Sequence, residues 1–157
     1  MIQPGQVLFH KDFKFADGET KDKYLVVLGK SNRSVIVAKT TSKGTRYRND
    51  YGCQSANRYP AFYLPKGSSC FPVCTWICLD EFYELTVGGE DSLSSRMIAG
   101  QIYRYGLLGD STMRDIQFCA VGCDDITSAH EEVIRGSLAP DESASGNALP
   151  QGGAASS

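Results

Sequence analysis

Short apolar runs, each carrying a polar side chain at one end, organise the first half of this chain. Gln6-Val7-Leu8-Phe9-His10, Lys23-Tyr24-Leu25-Val26-Val27-Leu28 and Ser34-Val35-Ile36-Val37-Ala38-Lys39-Thr40-Thr41-Ser42 are rich in β-branched and aromatic residues, and their lengths suit buried strands. Gly29 to Arg33 reads as a hairpin-like connection between the last two. Thr75 to Leu79 has the same character and stops at Asp80-Glu81, after which Glu81 to Leu85 continues as a second strand, with a bend or bulge expected near Asp80. Ala61 to Leu64 is a short strand closed by Pro65-Lys66-Gly67, and Gln101 to Tyr105 alternates like an edge strand. Between strands, Lys11 to Asp22 is polar and carries an Asp17-Gly18 turn. Residues 43 to 60 show no periodicity, and long loops of this kind usually serve function.

Two helices are expected: a short one over Ser92 to Ala99, and a longer one whose Met113, Ile116, Ala120 and Cys123 fall at three-four spacing. Asp110 or Ser111 is the expected cap of the second. From Gly136 onward Ser, Ala, Gly, Pro and Asn dominate without an aromatic residue, a composition that buries too little apolar surface to offset ordering entropy. The expected organisation is one mainly β domain over residues 1–135 and a disordered tail over 136–157. The domain should be a small, strongly bent β-barrel with a short helix and a C-terminal amphipathic helix.

Composition changes this picture little. The 157 residues suffice for one core, and 41% hydrophobic with 22% charged residues is ordinary for a globular protein. A net charge of -2 gives no global attraction to nucleic acid. Locally, however, Lys39, Lys43, Arg46 and Arg48 are interleaved with Tyr47 and Tyr51, which suits charge and ring stacking against a single strand. No apolar run approaches the roughly 18 residues of a membrane span, and Met1 to Gly5 lacks signal-peptide character, so a cytoplasmic setting is expected. In such a setting the six cysteines should be thiols rather than disulfides. Cys78, Cys119 and Cys123 then read as small core hydrophobes, Cys53 stands alone, and the spacings of Cys70, Cys74 and Cys78 suit zinc poorly. No metal or cofactor is expected, and Trp76 is expected in the core.

The order of motifs resembles the MazF/PemK (Kid) family of toxins, related in fold to the CcdB toxin. Gly5-Gln6-Val7-Leu8 stands where that family has Gly-Asp/Glu-Ile-Val, and Lys23-Tyr24-Leu25-Val26-Val27 where it has Arg-Pro-Val-Leu-Val. Thr41-Ser42 matches its strand-ending Thr-Ser, Asp80-Glu81 its Asp-Gln, and Gly106 to Asp110 its lead into a helix. The resemblance spans roughly residues 4 to 127. It implies an SH3-like barrel, a homodimer, an antitoxin protein as partner, and metal-independent cleavage of single-stranded RNA. Two departures stand out: the family's Arg is Lys23, and an Arg two residues before the Asp is Cys78.

Metal-free RNA cleavage needs proton handlers and a cation near the phosphorane. His10 and Asp80 could handle protons, Lys23 could supply the cation and Thr41 could hydrogen-bond a phosphate oxygen. Ser42, Lys43, Arg46, Tyr47 and Arg48 would bind the strand. Each has a plainer role as well: His10 closing a strand, Lys23 solvated at an edge, Asp80 accepting backbone N–H groups at a bulge. Three functions follow: a MazF/PemK-like endoribonuclease, a barrel of the same kind that binds RNA or a protein without cleaving, and a CcdB-like topoisomerase inhibitor. A CcdB-like action would need a C-terminal anchor that the Gly/Ala-rich tail does not offer.

Overall fold

The computed structural model describes residues 2–15 and 17–140. The chain is mainly β, as its pattern predicts. Its strands are β1 (Gln6–Lys14), β2 (Thr20–Lys30), β3 (Ser34–Thr41), β4 (Gly52–Cys53), β5 (Ala61–Leu64), β6 (Thr75–Cys78), β7 (Tyr83–Thr86) and β8 (Ile102–Leu107). Its helices are α1 (Leu93–Ile98), α2 (Asp110–Val121) and α3 (Ser128–Arg135). All strand pairs are antiparallel, in the order β4-β5-β6-β3-β2-β1-β8, and β7 also pairs with β3.

Both faces of β2 and β3 are buried, which is why these strands read as unbroken apolar runs instead of alternating ones. On one face Val7, Val26, Leu28, Ile36 and Ala38 pack with Phe62, Ile77 and the α2 residues Met113 and Ile116. On the other, Leu8, Leu25, Val27, Val35 and Val37 pack with Phe13, Leu85, Leu93 and Ile102. A third, smaller cluster holds Ala61, Tyr63 and Trp76, the last only 5% exposed.

β6 and β7 lie end to end along β3: Trp76 and Ile77 pair with Thr41 and Thr40, while Tyr83 pairs with Val37. The intervening residues outnumber the β3 residues opposite them. Asp80 is therefore displaced from the ladder, at the bend expected there.

Several expectations change, among them the loop expected over 43–60, which holds β4, and the start of β2, which lies at Thr20. The polar segment after His10 continues β1 to Lys14, across an irregularity where Asp12 takes φ 53° and Phe13 resumes pairing with Lys21. α2 starts at Asp110 with Gly109 in the cap position and no side-chain cap there. α3 was not expected; Thr127 caps it by accepting from His130 N, and Ile134 is its one fully buried residue. The tail boundary also shifts. Ser137 Oγ accepts from Lys30 N at 3.1 Å, and Ala139 N donates to Gln117 Oε1 at 2.8 Å, so residues 136–139 belong to the packed domain. The rest of the expected disordered tail, 141–157, lies outside the described residues.

Cysteine pairing is a correction. Cys53 and Cys119 form a disulfide that ties β4 to α2, with Cα atoms 5.6 Å apart. Cys70, Cys74, Cys78 and Cys123 are free, and Cys78 and Cys123 are buried as expected. Among the described residues, no helix is long and apolar enough to cross a membrane.

Candidate functional site

The ends of β2 and β3, with the loop that follows β3, enclose a cavity of about 250 Å³. Lys23, Lys39, Lys43 and Arg46 line it together with Phe15, Tyr47 and Cys78. Register explains the convergence: Leu25 pairs with Lys39, so Lys23 and Lys39 emerge on one face just past the apolar part of the sheet. Both amines lie over the Phe15 ring, Lys23 Nζ at 5.8 Å and Lys39 Nζ at 5.2 Å from its centroid. Cation–π attraction of this kind holds two like charges near one ring without neutralising either. Among the described residues, none of the four cations forms an ion pair, and no acidic side chain lines the cavity.

Lys23 Nζ donates to Thr40 O at 3.0 Å. Burial, then crowding by Lys21, Lys39 and Lys43, holds its amine below the usual lysine range, against the pull of Cys78. Burial raises the Cys78 thiol and so keeps it protonated, and the Tyr47 hydroxyl lies 3.5 Å from its sulfur. Burial also raises the Tyr47 phenol. Thr41 lies at the rim, where its Oγ1 accepts from Lys43 N at 3.1 Å and fixes the turn out of β3.

The loop lacks periodicity but not order. Trp76 Nε1 donates to Arg48 O at 2.8 Å, and the Gln54 amide holds Arg48 N and O at 3.1 and 2.7 Å. Asn57 Nδ2 donates to Arg46 O at 3.3 Å. Tyr47 stacks on Trp76, centroids 6.1 Å apart, and Trp76 stacks on Tyr63 at 4.6 Å. A Cβ at Gly44 would sit 2.3 Å from the Trp76 ring, so only glycine lets the loop pass this close. The result is a rigid shelf from which Arg46, resting 4.7 Å from the Tyr59 ring centroid, reaches the cavity.

The expected site residues therefore divide. Lys23, Thr41, Lys43, Arg46 and Tyr47 come together, and Ser42 lines the adjoining cavity. Arg48 does not join them: its backbone anchors the loop, while its guanidinium pairs with Asp50 in solvent. His10 pairs in register with Lys23 but lines a separate cavity with Asp12, Tyr83 and Arg96. Its Nδ1 hydrogen-bonds Lys11 O at 2.8 Å, its Nε2 faces Arg96 Nη1 at 3.1 Å, and it is 2% exposed. Burial lowers its pKa, so a neutral ring donates from Nδ1 and accepts at Nε2. Asp80 lines neither cavity, and its Oδ1 is buried with no hydrogen-bond partner among the described residues. Its negative charge lies close enough to Tyr47, Cys78 and Tyr83 to raise their pKa values.

Five cavity residues fell outside the expected site, Phe15, Lys39, Thr40, Thr45 and Cys78, and two of them matter most to its chemistry. Lys39 belonged to the basic cluster in the sequence, and Phe15 extends the Phe13-x-Phe15 alternation that continues β1. Among the described residues, no group of three His, Cys, Asp or Glu side chains is placed to hold a metal ion. No protein-family model matches this chain, and no curated protein matches it in sequence.

Proposed function

We propose that this protein binds single-stranded RNA, with phosphates held in the Lys23/Lys39/Lys43/Arg46 cavity, and that it binds without cleaving through His10 and Asp80. The observation that carries this is four cations around one cavity that, among the described residues, have no ion-pair partner and no carboxylate in the wall. Such a cluster is destabilised by its own repulsion and gains most from a polyanion. The resemblance to the MazF/PemK toxins supports RNA over other polyanions. Cleavage needs a base and an acid beside the cation, and neither the imidazole nor the Asp80 carboxylate lines this cavity.

A second reading, the MazF/PemK-like endoribonuclease toxin, is favoured by one detail. The Lys23 amine is held below its usual range, the condition under which a lysine can exchange protons nearer neutrality. An RNA partner also favours a cytoplasmic setting, where thiol pools would oppose the Cys53–Cys119 bond. Incubating the protein with a labelled unstructured RNA, with and without chelator, separates the two readings. Salt-sensitive binding with intact RNA is expected. Chelator-insensitive cleavage abolished by Lys23→Ala would install the enzyme reading, and no binding at low salt would overturn both.

A further inference from the structure

Lys23, Thr40 and Thr41 line two cavities rather than one. The second, of about 220 Å³, opens on the opposite side of the strand ends and is walled by Tyr24, Phe71 and Val73. Its one carboxylate, Asp22, already accepts from Asp12 N at 3.0 Å. Beyond Tyr24 the sheet carries a group of rings. Phe9 pairs in register with Tyr24 on one side and with Tyr103 on the other, which puts all three on the same face. Centroid distances are 5.1 Å for Phe9–Tyr24, 5.2 Å for Phe9–Tyr103 and 4.6 Å for Tyr24–Tyr105. Farther along β1 and β2 the same face carries Val7 and Val26, which are buried in the core with α2. Tyr103 and Tyr105 remain 46% and 38% exposed.

We propose that this face is the base-stacking surface of the RNA site: the backbone is held at the Lys23 lip, and successive bases lie on Tyr24, Tyr105 and Tyr103. The proposal rests on the cavity being an RNA site and names how the strand continues from it. Three features favour nucleobases. The patch is made of rings rather than aliphatic side chains, and aromatic rings on a sheet face are a common platform for unpaired bases. Its ring edges carry hydroxyls that suit a surface wetted when empty. It is also continuous with the cationic cavity, because Lys23 lines both cavities and Tyr24 lines the second one with it. A small phosphate ligand would use the cavity and leave the rings idle.

The test compares a labelled single-stranded RNA of about ten nucleotides with an abasic phosphodiester of equal length. Tyr103→Thr and Tyr105→Thr keep strand propensity while removing the ring. Each should weaken RNA binding about tenfold, leave the slope of log affinity against log salt unchanged, and leave abasic binding unchanged. In the unmodified protein, photo-crosslinking with 4-thiouridine RNA should label peptides holding Tyr103 or Tyr105. If both variants bind RNA normally while Lys39→Ala and Lys43→Ala do not, this inference falls and the cavity survives. If the lysine variants also bind normally, the cavity falls too. If the tyrosine variants instead change a dimer to a monomer in light scattering with RNA affinity intact, the face joins two copies and the proposal is overturned.

Discussion

His10 and Lys23 face one another across β1 and β2, yet one is locked and the other is available. The imidazole is 2% exposed, its two nitrogens are occupied by Lys11 O and Arg96, and its ring edge meets Phe13 at 5.3 Å. Among the described residues the amine makes one bond, to Thr40 O, which leaves two protons for a ligand beside three more cations. The cause is the β1 irregularity around Asp12. Beyond it the Phe13 ring meets His10, the Phe15 ring meets Lys23, and the two rings contact each other at 5.7 Å. A polar residue at a strand end is thus a site or a plug according to what the next two residues do.

The largest effect should come from removing the cations. Lys39→Ala/Lys43→Ala/Arg46→Ala should weaken single-stranded RNA binding on the order of a hundredfold at low salt and lower the salt slope by about two, whereas His10→Gln should leave both unchanged. Anisotropy titrations at several salt concentrations read this directly. Equal losses in the two variants would erase the distinction between the cavities.

On stability rather than binding, the largest effect belongs to the bond that pins the far side of the basic loop. Cys53 and Cys119 are 66 residues apart, so chain-entropy arguments put their cross-link at about 4 kcal/mol. Cys53→Ser should lose roughly that in urea unfolding, and reduction of the unmodified protein should match it. A variant as stable as its parent would show that the loop is held by Trp76 and Gln54 alone. The shelf itself can be probed at Gly44. Gly44→Ala forces a Cβ into the Trp76 ring, should cost about 1–3 kcal/mol, and should shift the emission of this single tryptophan. His10→Gln should leave that emission as it is.

These contrasts mark how far the sequence was legible. β2 and β3 were readable because burial on both faces writes itself as continuous Val/Ile/Leu, and α2 because its buried positions recur at helical spacing. The basic cavity was half readable: Lys39, Lys43 and Arg46 are close in sequence, but Phe15 and Lys23 reach them only through strand register. β1 beyond His10 was hidden by exposed Lys11, Asp12 and Lys14 around a single buried Phe13. α3 buries one residue fully, so periodicity could not find it. Thr127 as a cap, Arg135 in the last turn and Gly136 after it were the available signals. The disulfide joins a loop residue to a helix residue across a separation that no local pattern encodes.

The smallest effect is a pH dependence of stability on the acid side of neutrality, and it belongs to His10. Burial depresses the His10 pKa below 6.5, reinforced by the Arg96 guanidinium and opposed by the bond to Lys11 O and by Asp12. The native state therefore resists a proton that the unfolded chain accepts. Stability from this group is complete above pH 6.5 and is lost as pH falls from there toward the native pKa, because unfolding takes up a proton in that window. Melting temperatures at pH 7.5 and 5.5 should fall more for the parent than for His10→Gln, with carboxylate effects common to both cancelling in the comparison. Parallel falls would mean that the ring is already charged in the native state. His10 would then be a fifth cation near the lip, and the contrast between the two cavities would be one of position, not of charge.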